Sequence, residues 1–113
     1  MDIEKFRELC LSFPDVTEEF PFGPDTLVYK VKGKVFALTG LNAFESINLK
    51  CDPELAIELR ERYPAVLPGY HMNKAHWNTI RIDNSISDRL LEEWIRNSYQ
   101  LVRAKLPRRS AGD

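Results

Sequence analysis

Between Pro68 and a β-rich run beginning at Trp77, the stretch PGYHMNKAHW holds Tyr70, His71, Asn73, Lys74, His76 and Trp77 within eight positions. Aromatic rings stack on exposed bases, a lysine meets a phosphate, and an amide or imidazole reads a base edge, so these residue types together suit a nucleic-acid recognition loop. The same residues also have a purely structural use: Trp77 and Tyr70 can plug a core while the polar groups cap a turn. The sequence leaves both open. A metal centre is not expected. His71 and His76 have no local third or fourth ligand, and Cys10 and Cys51 stand far apart without a CxxC pair, whereas structural zinc takes four close ligands. Catalysis is not expected either, nor a cofactor. The chain has no phosphate-cradling glycine loop, no GxSxG and no paired-carboxylate spacing. Cys10 lies on an apolar helical stripe, where a thiol serves as a small buried hydrophobe.

The elements that must position this stretch are legible from caps, breakers and periodicity. Asp2 caps a helix whose apolar residues Ile3, Phe6, Leu9, Cys10 and Phe13 recur at helical spacing, and Pro14 ends it. The turn-rich FPFGPD (20–25) leads into strands TLVYKV (26–31) and KVFALT (34–39), which flank a Lys32-Gly33 turn. FESINLK (44–50) reads as a third strand. Asp52-Pro53-Glu54 starts a helix that Pro64 stops. WNTIRID (77–83) is a fourth strand, and Ser85-x-x-Asp88 resembles a capping box before a long final helix ending at Pro107. The order α-β-β-β-α-β-α predicts an α+β fold: an antiparallel sheet with helices packed on one face and the other face open. Residues 1–107 form a single domain and 108–113 a polar C-terminal tail.

Composition narrows the function classes. The chain has 113 residues and a net charge of −1, one domain's worth of sequence with a core large enough to stand without staples. No apolar run is long enough for a membrane span. The N-terminus lacks a signal peptide's basic start and apolar core. A cytoplasmic protein without a membrane association is expected, as a monomer or weak dimer. Charge is segmented: residues 1–25 carry seven acids against two bases, while 26–50 carry Lys30, Lys32, Lys34 and Lys50 against Glu45. A second basic group, Arg103, Lys105, Arg108 and Arg109, closes the chain. A phosphate-binding protein usually carries an overall basic excess. Any nucleic-acid contact here must use a local patch.

Three stretches, FPFGPDTLVYKVKGKVFALTG, INLKCDPELAIELRERYPAVLPGYHMNKAHWNTI and the final amphipathic helix, resemble the MmcQ/YjbR-like family over roughly residues 3–106. PGYHMNKAHWNTI (68–80) is the most specific of them. The resemblance implies a frataxin-like (CyaY-like) arrangement and a DNA-binding or regulatory accessory function through a "double wing" of strands and loops. The candidate nucleic-acid-binding residues on this chain are Lys30, Lys32, Lys50, His71, Asn73, Lys74, His76 and Trp77. The alternative is a protein-interaction or small-ligand module using the open sheet face and the 68–77 loop. Salt separates the two, because phosphate contacts are strongly screened and apolar contacts are not.

Overall fold

The computed structural model describes residues 1–70 and 72–106. His71, Pro107 and the 108–113 tail lie outside the described residues. Helix α1 (Ile3–Ser12) starts where Asp2 accepts a hydrogen bond from the Lys5 amide, and α2 (Pro53–Arg62) starts where the Asp52 carboxylate accepts from the Glu54 and Leu55 amides. Both caps are the ones the sequence predicts. The final helix α3 (Asp88–Lys105) corrects the capping-box expectation. Its cap is Ser87, which accepts from the Leu90 amide, while Ser85 turns back to hydrogen-bond the Asp83 carboxylate.

The sheet has six antiparallel strands: β1 (Val16–Glu19), β2 (Thr26–Val31), β3 (Lys34–Gly40), β4 (Ser46–Lys50), β5 (Val66–Pro68) and β6 (Trp77–Arg81), in the spatial order β1-β2-β3-β4-β6-β5. The α+β class and the one-sided packing of helices hold. The two additional strands, β1 and β5, are the short edges of the sheet. Their sequences, VTEE and VLP, are too short and too polar or proline-bound to announce themselves. The β2–β3 hairpin closes through Lys32 (φ +47°) and Gly33 (φ +85°), two positive φ angles that match the twist of the paired strands. Lys32 therefore sits in the turn, beyond the end of the strand that carries Lys30.

Strand alternation decides what is inside. Leu27, Tyr29 and Val31 of β2, Ile47 and Leu49 of β4 and Ile80 of β6 share the face on which Phe6 and Cys10 of α1, Leu59 of α2 and Ile95 of α3 pack. Each large side chain buried here stabilises the fold by about 1.5–3 kcal/mol. A register shift after Tyr29 lets both Phe36 and Ala37 bury. Phe36 meets the rings of Tyr99 and Phe13. Ser98 fastens α3 to the sheet, donating to the Phe36 carbonyl at 2.6 Å and accepting from the Lys50 amide at 2.8 Å. Nearer β1, the buried Tyr29 hydroxyl donates to Glu18, which Arg7 grips through two nitrogens at 2.9 and 3.0 Å. The Arg7 hydrogen bonds hold the Glu18 carboxyl below its usual range. On the opposite face no helix packs, yet Val28 is fully buried between its register neighbours Glu19 and Leu38.

Candidate functional site

The loop between β5 and β6 spends its chemistry on itself. The Arg60 guanidinium reaches across from α2 and donates to the Asn78 side chain at 2.7 Å, to the Trp77 carbonyl at 3.2 Å and to the Lys74 carbonyl. The Lys74 ammonium donates to the Gly69 carbonyl at 3.0 Å. Asn73 accepts from the Ala75 amide, a local turn bond, and its own carbonyl accepts from the His76 and Trp77 amides. His76 is half-buried and its Nδ1 is enclosed without a hydrogen-bond partner among the described residues. Gly69 faces Trp77 so closely that a Cβ would stand 2.7 Å from that of Trp77. Trp77 itself is half-buried, and Tyr70 is 71% exposed. Neither ring fills the core, as the structural reading of the sequence has them do. Asn73 and Lys74 serve the turn, so the loop presents few polar groups poised to read a base.

The strand directions gather something the loop alone does not supply. β2 ends, β3 begins, β4 ends and β6 begins at one end of the sheet, and α3 finishes there too. Lys32, Lys34, Lys50, Lys74 and Lys105 thus share that end. Lys50 is the register partner of Trp77. Desolvation, and then the charges of Lys105 and Lys34, lower the pKa of the Lys50 ammonium. Among the described residues no carboxylate forms an ion pair with Lys32, Lys34, Lys50 or Lys105. The hairpin turn and the β5–β6 loop project from this same end, three strand spacings or about 14 Å apart. Lys30 is different: it lies higher on the open face and pairs with Glu19 at 3.1 Å. Arg103, which has no acid near it in sequence, lies 3.9 Å from Asp15.

Beside the lysines, α2 and α3 part over the sheet and leave a cleft of about 330 Å³. Its walls are Leu49, Leu55, Leu59, Ile80, Trp94 and Leu101, and its mouth carries Lys50, Asp52, Asn97 and Gln100. Sequence reasoning reads these leucines as core and passes over the α3 amides. The available signal is that Asn97 and Gln100 put uncharged amides on the polar face of α3 beside the half-buried Leu101. Cys51 also lines the cleft. Burial, reinforced by the Asp52 charge, pushes its thiol up to about 11, so it stays protonated and un-nucleophilic near neutrality. Cys10 is enclosed in the core and its thiol is likewise raised by burial. Among the described residues no three His, Cys, Asp or Glu side chains cluster as a metal site would require, and no helix is long and apolar enough to cross a membrane.

The six-stranded antiparallel sheet with three helices on one face, a basic end and an apolar cleft make up a small α+β domain. The YjbR family model matches residues 11–101. YbdF of Escherichia coli O157:H7 is 41% identical over 100 residues, covering 88% of this chain and 82% of that protein. YjbR of Escherichia coli K12 is 31% identical, covering 95% and 92%. The crystal structure of DR2400 from Deinococcus radiodurans superposes with a TM-score of 0.90 at 39% identity, over 94% of this chain and 82% of that one. A Pseudomonas syringae protein superposes with a TM-score of 0.76 at 30% identity, over 91% and 100%. The chain belongs to the YjbR family. Membership carries the fold; the chemistry has to come from the site.

Proposed function

We propose that the chain is a non-catalytic nucleic-acid-binding protein that grips phosphates with the lysines at one end of its sheet. The observation that carries this reading is the convergence of Lys32, Lys34, Lys50 and Lys105, contributed by a hairpin turn, two strands and a helix, without an ion-pairing acid among the described residues. The two turns projecting from that end correspond to the two wings implied by the family resemblance. Backbone contacts of this kind hold a nucleic acid in place without reading its sequence. The internally bonded Asn73 and Lys74 make the loop a support for Trp77 and leave little for base recognition.

Fluorescence anisotropy of labelled duplex and single-stranded oligonucleotides, titrated with salt, tests the proposal. Four phosphate contacts give a slope of about −3 to −4 in log K against log salt, with micromolar or weaker affinity. Lys34→Ala removes about one unit of that slope, whereas Lys30→Ala leaves it unchanged because Glu19 already neutralises Lys30. Absence of binding to either form at low salt, where screening is weakest, overturns the reading.

A further inference from the structure

Beyond nucleic acid, we propose that the cleft between α2 and α3 is a binding site for a small amphipathic anion, a medium-chain or aryl carboxylate whose apolar body lies on the leucines and Trp94 and whose charged group meets Lys50.

Size and lining come first. A volume of about 330 Å³ falls within the usual range for small-ligand pockets, about 300–1,000 Å³. Such pockets pair a mainly apolar wall with a few placed polar groups. Here Leu55 and Leu101 remain only half-buried although each sits beside fully buried neighbours, so apolar surface is left for an occupant to cover.

Charge then selects the occupant. One cation, Lys50, lines the mouth, and Lys34 and Lys105, from two other elements, lie near enough to act on the Lys50 charge. The single acid of the lining, Asp52, is committed, its Oδ2 accepting from the Glu54 and Leu55 amides at 3.2 and 3.3 Å. That capping also closes the N-terminus of α2 to any ligand. Asn78 is committed to Arg60 and to the Ala56 carbonyl. Asn97 and Gln100, exposed on α3 at the same mouth, have no side-chain hydrogen bond among the described residues and are available as donors. An anion entering here meets donors and cations, while a second cation meets repulsion. A neutral apolar molecule covers the walls and leaves the lysine charges uncompensated. A polyanion such as a nucleic acid can use the lysines, but it has no apolar body to fill the cleft.

The test uses the full chain carrying Trp77→Phe, so that emission reports on Trp94 in the cleft wall. Octanoate and octan-1-ol are titrated separately. Octanoate is expected to change Trp94 emission saturably, and octan-1-ol to bind at least tenfold more weakly. Lys50→Met should weaken octanoate about tenfold and leave octan-1-ol unchanged, while Leu101→Asn should weaken both. Circular dichroism confirms that each variant is folded, and Leu55→Ala replaces Leu101→Asn should the latter unfold. Equal affinity for the acid and the alcohol overturns anion recognition, and no saturable response to either overturns the site. Neither result depends on whether oligonucleotides bind.

Discussion

The β5–β6 loop and the α2–α3 cleft lie at the same end of the sheet, and they invert what their residues advertise. The loop is dense in rings, imidazoles and amides, yet most of its polar atoms are bonded within it or to Arg60. The cleft is lined by ordinary leucines, yet among the described residues its Lys50 has no ion-pairing acid and its Asn97 and Gln100 have no side-chain hydrogen bond. A reactive residue type indicates function only when the fold leaves its valence unfilled. Buried or half-buried polar groups are normally satisfied by neighbours, because an unsatisfied one costs about 1–3 kcal/mol. Apart from His76 Nδ1 the loop follows that rule, and the chemistry of Asn73 and Lys74 disappears into the turn.

Three substitutions break or sharpen this contrast. Arg60→Ala should have the largest effect, a loss of about 2–4 kcal/mol in urea unfolding, because it leaves the Trp77 and Lys74 carbonyls and the Asn78 amide without their charged donor. Arg60→Lys should recover only part of the loss, since one ammonium cannot span three acceptors. A change under about 0.5 kcal/mol for Arg60→Ala would mean that the loop is not held as described. Gly69→Ala comes next, at about 1–3 kcal/mol, because its Cβ must displace Trp77. Red-shifted tryptophan emission alongside the lower unfolding midpoint is the expected signature, and an unchanged midpoint contradicts the close approach.

On the cleft side, Lys50→Met should be the smallest change, within about 0.5 kcal/mol at pH 7 and not destabilising, because the cation it removes pairs with no acid among the described residues. The pH dependence has a definite sign. The Lys50 ammonium has a lower pKa in the folded chain than in the unfolded one, mainly through desolvation. Below both values the two states are equally protonated and the fold carries the cost of the charge. As pH rises between the folded value and the unfolded one, the unfolded chain binds more protons, so this group's contribution to stability rises with pH. Urea midpoints for wild type and Lys50→Met across pH 8–10.5 should therefore converge as pH rises. Diverging curves contradict the direction.

Much of the architecture was legible in short windows. Asp2, Asp52 and Pro53 set two helix starts, and Lys32-Gly33 set a hairpin. The misses share a cause. β1 and β5 are edge strands whose pairing comes from the neighbouring strand rather than from their own propensity. Ser85 and Ser87 are equally good caps by type, and only the geometry of the turn gives Ser85 to Asp83 and Ser87 to the Leu90 amide.

By itself the sequence determined the elements other than β1 and β5, the α+β class, the buried role of Cys10 and the family, because caps, breakers and alternation act over a few residues of backbone and are written where they act. It also supplied the lysines, but as separate groups along the chain. Only the tertiary structure decided that Lys34, Lys50 and Lys105 meet at one end, that Glu19 removes Lys30 from the group, and that Arg60 holds the loop. Those outcomes depend on strand order and on the direction in which α3 crosses the sheet. Contacts between residues tens of positions apart are fixed by packing the whole core at once, and no local window contains them.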